Sequence, residues 1–133
     1  MTRPSLRTGT AAAVAVPLAL LAGCGGGGGK RAAASPPARP PVTVQLGEYF
    51  FRPAALTVHV GQPVRFVNVG KIAHTVADRR KGSATPLSRL IRPHELVPGA
   101  TQTVVFRRPG TVYYFCTFHP SLMAGEIVVI PRS

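Results

Sequence analysis

Cys116-Thr117-Phe118-His119-Pro120-Ser121-Leu122-Met123 brings a thiolate, an imidazole and a thioether together within eight residues. An aromatic run, Val112-Tyr113-Tyr114-Phe115, precedes it, and an apolar run, Ile127-Val128-Val129-Ile130, follows. The segment therefore reads as two strands joined by a donor-bearing loop. With one more imidazole, these three donors make the trigonal His₂Cys arrangement with a weak axial Met that holds electron-transfer copper. His74, in Lys71-Ile72-Ala73-His74-Thr75-Val76, supplies that second imidazole. Structural zinc favours additional Cys or His and no Met, whereas the only other methionine of this chain is Met1. His59 sits opposite Leu56, Val58 and Val60 by strand parity and is expected to face solvent. His94 lies in a long basic loop and reads as a surface residue.

Outward from this site, the chain alternates apolar and polar residues in short runs. Val42 to Leu46, Leu56 to Val60, Val64 to Asn68, Ala73 to Ala77, Thr103 to Phe106, Val112 to Cys116 and Ile127 to Ile130 each read as strands. Gly61-Gln62-Pro63, Val97-Pro98-Gly99 and Arg108-Pro109-Gly110 carry turn chemistry between them. Seven to eight short strands at this spacing predict an all-β sandwich. Arg79 to Pro98 reads as a long loop, with a short helical turn expected near Ser88 to Ile91.

The N-terminus has a different composition. Residues 1–10 carry Arg3 and Arg7, and residues 11–22 form a short apolar segment interrupted by Pro17. That segment is too short for a comfortable membrane span and reads as the core of a signal peptide. Leu21-Ala22-Gly23-Cys24 resembles a bacterial lipobox, so residues 1–23 are expected to be removed and Cys24 to carry lipid. Residues 24–41 then form a Gly-, Ala- and Pro-rich tether, and residues 42–133 form the domain. The expected location is the outer side of a membrane, in the periplasm or an equivalent extracytoplasmic space. Cys24 and Cys116 are the only cysteines. With Cys24 capped, Cys116 has no disulfide partner, and a metal would occupy its thiol.

The whole chain carries a net charge of +12 from 16 basic and four acidic residues. Five of the basic residues precede position 42, which leaves 11 against four in the domain, a balance near +7. Export argues against a nucleic-acid partner, so the charge points to an acidic protein or to anionic lipid. Arg79, Arg80, Lys81, Arg89 and Arg92 crowd one stretch and are expected to steer an acidic redox partner.

Two motifs identify the resemblance. The first is Phe51-x-Pro53-x-x-Leu56-x-Val58-x-x-Gly61-x-Pro63-Val64-x-Phe66-x-Asn68, followed by His74-Thr75-Val76. The second is Tyr114-Phe115-Cys116-x-x-His119-Pro120, then Met123-x-Gly125-x-Ile127-Val128-Val129. Across residues 42–133 the chain resembles the blue copper cupredoxins, in particular plastocyanin-like and amicyanin-like proteins. The resemblance implies a Greek-key β-sandwich holding one Cu(I)/Cu(II) ion through His74, Cys116, His119 and Met123. It further implies a monomeric one-electron carrier that is not an enzyme, with His119 presented through an apolar patch to a cytochrome or oxidase. Phe118, Pro120 and Leu122 are placed to form part of that patch. Three residues separate His119 from Met123, a spacing intermediate between amicyanin-like and plastocyanin-like loops. Multicopper enzymes wire a blue copper to other copper atoms through a His beside the Cys, but here the neighbours are Phe115 and Thr117. Copper trafficking or storage is the alternative function.

Overall fold

The computed structural model describes residues 9–15, 35 and 37–133. Cys24 and most of the expected leader and tether lie outside the described residues. Eight strands follow in chain order: β1 Val42–Gly47, β2 Phe50–Arg52, β3 Ala55–His59, β4 Pro63–Asn68, β5 Ala77–Arg79, β6 Thr101–Val105, β7 Gly110–Phe115 and β8 Ala124–Ile130. They form two four-stranded sheets, ordered β2-β1-β4-β6 and β3-β8-β7-β5. The all-β sandwich expected from the alternation is the observed fold. All eight strands and the entire buried cluster belong to one compact unit, Ser35–Ser133.

The alternation explains why the sheets face each other. In β1, Val44 and Leu46 are fully buried while Thr43 and Gln45 are exposed; in β4, Val64 and Phe66 are buried around exposed Arg65. The second sheet contributes Val58, Val112, Tyr114, Ile127 and Val129 to the same core. Each such side chain removed from water contributes on the order of 1.5–3 kcal/mol. Tyr114 joins the two layers. Its ring meets Phe51 edge-on at 4.9 Å and Phe66 at 5.4 Å. Its hydroxyl donates to the carbonyl of Ala54 at 3.2 Å, and burial pushes its ionisation far above the usual phenol range.

Register sets the two ends of the molecule. β1 runs parallel to β4, pairing Val42 with Val64 and Leu46 with Asn68. β7 runs antiparallel to β8, pairing Gly110 with Val129 and Phe115 with Ala124. Cys116 therefore emerges at the end where β1 and β4 finish. The β6–β7 turn, the start of β1 and the end of β8 lie at the opposite end, about 20 Å away along β7 at ~3.3 Å per residue.

Three local expectations need correction. Ala73 to Ala77 is not a strand: His74 makes only an isolated bridge to Leu96, and the strand begins at Ala77. No helical turn forms at Ser88 to Ile91, because the buried Asp78 carboxylate accepts the N–H groups of Leu90 and Ile91 at 3.2 and 2.9 Å. Arg79 is not a loop cation. It closes β5, lies over the Phe115 ring at 4.9 Å and donates to the carbonyls of Ser83 and Pro120. β2 was not read from its sequence, since three residues are too few to show a period.

Among the described glycines, Gly125 is the one least tolerant of a side chain. A Cβ there would collide with the Ala54 carbonyl oxygen and the Tyr114 phenol, both part of the inter-layer contact. Gly125→Ala is expected to destabilise the domain by roughly 1–3 kcal/mol. Urea unfolding monitored by tyrosine fluorescence would measure it, and an unchanged midpoint would show that β8 can shift without cost.

Candidate metal centre

Four chain segments meet beyond the ends of β1, β4 and β7. Asn68, buried at the end of β4, organises the segment that carries His74. Its Nδ2 donates to the carbonyls of Ile72 at 2.8 Å and Leu96 at 2.7 Å, and its Oδ1 accepts the Gly70 N–H. His74 and Leu96 exchange both backbone hydrogen bonds, at 3.1 and 2.8 Å. The imidazole of His74 is thereby held rigidly and without solvent exposure.

Cys116 leaves β7 into a tight loop closed on itself. Its N–H donates to the Met123 carbonyl, and the His119 carbonyl accepts from both Leu122 and Met123. Pro120 removes one further donor from this loop. A threonine pair clasps the two segments together. Thr75 Oγ1 lies 2.8 Å from Thr117 Oγ1 and accepts the Thr117 N–H at 2.8 Å. The Thr75 N–H points at Cys116 Sγ at 3.3 Å. That donor stabilises negative charge on sulfur.

The result is a three-donor cluster. Both imidazoles turn Nδ1 toward Cys116 Sγ, His74 at 3.9 Å and His119 at 3.7 Å. The donor atoms of His74, Cys116 and His119 all lie within 4.8 Å of one another. Metal–nitrogen and metal–thiolate bonds of about 2.0–2.3 Å in a trigonal plane space their donors by roughly 3.6 Å. The observed separations fit one ion of that kind, and two imidazoles with one thiolate match copper chemistry. Met123 is fully buried in the same core cluster as Cys116. His119 is only partly buried, with Phe118 and Leu122 exposed beside it. His59 and His94 stay outside the cluster; His59, half-buried rather than turned to solvent, places Nδ1 3.1 Å from the Pro131 carbonyl.

Two residues of the β1–β2 loop complete the surroundings, and sequence reasoning did not find them. Glu48 Oε1 accepts the N–H groups of Lys71 at 2.6 Å and Ile72 at 2.9 Å. The same oxygen lies 3.6 Å from His74 Nε2, too long for a hydrogen bond but the closest recorded polar neighbour of an otherwise unpartnered buried nitrogen. The two N–H donors hold the Glu48 carboxyl below its ordinary value. Burial pushes His74 down; the Glu48 carboxylate opposes that shift and the nearby His119 adds to it. Tyr49 covers the outer side, with its ring tilted edge-on against His119 at 4.6 Å. A charged residue and an aromatic in a turn carry no sequence signal for such roles; only the folding of β1 back onto β2 brings them here.

The family model for copper-binding proteins of the plastocyanin/azurin family matches residues 39–130. Among solved structures, a purple cupredoxin from Nitrosopumilus maritimus is 22% identical with a TM-score of 0.60, over 67% of this chain and 99% of that one. Amicyanin from Paracoccus versutus is 23% identical with a TM-score of 0.56, over 67% and 80%. A copper-containing nitrite reductase from Thermus scotoductus is 28% identical with a TM-score of 0.58, over 70% of this chain but 23% of that one. No curated protein sequence matches the chain.

The depressed His74 makes the metal-free domain pH-sensitive. Unfolded His74 takes up a proton near pH 6.5, whereas the folded ring resists it, so the unfolded state binds more protons just below that value. Stability of the apo domain is expected to rise with pH through the window below about 6.5 and to level off above it. The Glu48 contribution belongs to a separate, more acidic window: it is present above the ordinary carboxylate range and is lost as pH falls through the lowered folded value. Glu48→Gln removes the carboxylate that supports the proton on His74, and should extend the His74 window downward. Urea midpoints of the apo domain across pH measure both effects. A slope unchanged in His74→Gln would assign the near-neutral window to another group.

Proposed function

The chain belongs to the plastocyanin/azurin family of copper-binding proteins, and from that premise we propose that it is a membrane-tethered, one-electron carrier of the cell envelope, not an enzyme. Bound copper supplies a Cu(I)/Cu(II) couple. His74, Cys116 and His119 would hold it as principal donors, and Met123 would be a weaker donor that tunes the potential. The observation that carries this reading is the convergence of two Nδ1 atoms on one buried thiol, held by hydrogen bonds that need no metal to form. Such a frame keeps the donors in place in both oxidation states. Little rearrangement then opposes electron transfer.

The protein groups divide the remaining work. Thr75 N–H and the buried surroundings hold the Cys116 thiolate away from water and oxidants. Half-exposed His119 is the exit for the electron, and Tyr49, Phe118 and Leu122, about 48%, 51% and 62% exposed, form apolar contact area around it. Complete burial of His74, Cys116 and Met123 favours retention of copper over hand-off. The partner is a redox protein such as a cytochrome or oxidase, met as a monomer in a small, transient complex. The basic balance of the domain favours an acidic one. Arg80 is exposed for that role, while Lys81 leans over the Tyr113 ring at 5.6 Å. Lipid on Cys24 would keep the carrier at the membrane.

The copper-loaded domain is expected to be intensely coloured as Cu(II), through charge transfer from the Cys116 thiolate. Cys116→Ser should remove that absorption and leave a folded β domain by circular dichroism. Met123→Leu should keep copper and colour while raising the potential, read by cyclic voltammetry, because a weak donor to Cu(II) is lost. A strongly coloured Cys116→Ser protein would contradict the assignment, as would complete copper loss from folded Met123→Leu.

Tethering is tested separately. Cells producing the full chain and fed a labelled fatty acid should incorporate label into it, and Cys24→Ala should abolish incorporation. Equal labelling of both chains would place the lipid elsewhere or remove it altogether.

A further inference from the structure

We propose that the end of the sandwich opposite the metal centre is a docking surface for anionic phospholipid headgroups, which holds the metal end away from the membrane. The orientation part of this proposal rests on the tethering reading above; the binding surface itself does not.

The carboxylates of the domain and most of its exposed large hydrophobic residues lie toward the metal end, while cations occur at both ends. Tyr49, Val69, Ile72, Val97, Phe118 and Leu122, six of the ten large hydrophobic residues exposed among the described ones, lie in the loops around the metal centre. All four carboxylate side chains sit in the half toward that centre. Glu48 follows β1, Asp78 pairs with Tyr114, Glu126 pairs with Tyr113, and Glu95 adjoins the His74–Leu96 bridge. The far end carries Arg39, Arg107, Arg108 and Arg132 with no Asp or Glu. Arg107 and Arg108 are exposed in the β6–β7 turn and have no carboxylate partner among the described residues. They also border a cavity of about 480 Å³ whose other walls include Arg89, Leu90, Phe106 and Pro109. Guanidinium groups pair with phosphate through two parallel hydrogen bonds, and the apolar walls suit a glycerol backbone.

The chain leading to Cys24 starts from this same end. Arg39 donates to Ser133 Oγ at 3.0 Å, Gln62 Nε2 donates to the Pro40 carbonyl at 3.1 Å, and Arg132 donates to the Pro37 carbonyl at 3.5 Å. Residues 37–40 are therefore pinned beside the arginines. Twelve residues separate Cys24 from Pro37. A lipid on Cys24 would bring the arginine end, and not the metal end, closest to the bilayer. Attraction acts over about 8 Å at physiological salt, so the arginines would choose the face that settles once the tether has brought the surface near. The metal end, with its apolar loops and exposed His119 edge, would then remain open to redox partners in solution or on neighbouring proteins.

The test uses residues 37–133 loaded with copper, which contain every strand and the core cluster found among the described residues and lack Cys24. Co-sedimentation is measured with vesicles of phosphatidylcholine alone and with added phosphatidylglycerol. Binding is expected only to the anionic vesicles and should fall with rising salt. Arg107→Gln with Arg108→Gln should weaken it about thirtyfold, with an unchanged visible spectrum and thermal midpoint. Lys71→Gln, at the metal end, should leave it unchanged. Equal binding to both vesicle types, or wild-type affinity in the double arginine variant, would overturn the proposal. So would binding of the arginine end to an acidic redox protein with no binding to anionic vesicles. Loss of fatty-acid labelling would count against the tether alone, because this fragment carries no lipid site.

Discussion

The threonine clasp between Thr75 and Thr117 is the contact on which the metal centre depends. One hydroxyl oxygen, Thr75 Oγ1, accepts the Thr117 N–H and meets the Thr117 hydroxyl, while the Thr75 N–H turns onto Cys116 Sγ. It ties the residue after one imidazole donor to the residue after the thiol, across 42 positions of sequence. In water each such bond is worth about 1 kcal/mol net, but here three of them fix the mutual position of donors from two different segments. Partial burial strengthens them, since solvent competes less and an unmade bond would leave a polar group poorly satisfied.

Rigidity at the centre is inherited from the core beneath it. Tyr114 spans the layers two residues before Cys116, locked by Phe51, Phe66 and a hydroxyl bond to Ala54. Gly125 gives that phenol its room. Asn68 performs the same service on the other side, where its amide gathers the loops that present His74. The donors are thus positioned by a folded frame, and a one-electron couple placed there would meet little reorganisation.

The two ends of the sandwich differ in surface chemistry. Most exposed apolar side chains lie around the metal centre, and Arg39, Arg107, Arg108 and Arg132 lie, without Asp or Glu, where the N-terminal chain joins the domain. Such separation suits a molecule with two distinct neighbours, a transient protein at one end and an anionic surface at the other. Apolar contact with a partially exposed imidazole favours brief complexes that part easily. Charge at the far end acts at longer range and sets orientation without strong, specific contacts.

The amino-acid pattern determined the sandwich, the donor types and the compact donor loop, because strand alternation and a Cys–His–Met cluster are local in sequence. It also singled out His74, since His59 falls on the wrong strand parity and His94 in a polar loop. Tertiary structure alone decided how His74 is held. The strand expected around it is absent, and a bridge to Leu96 with the Asn68 amide holds it instead, a contact between segments 22 residues apart. The same applies to Glu48 and Tyr49, which lie in a turn with no periodicity and reach His74 and His119 only because β2 folds back on β1. Arg79 looked like one member of a basic loop, yet strand pairing places it over Phe115, where its charge is committed to a ring and two carbonyls. Periodicity reports which face a residue takes within its own strand; it carries no information about which distant loop that face will meet.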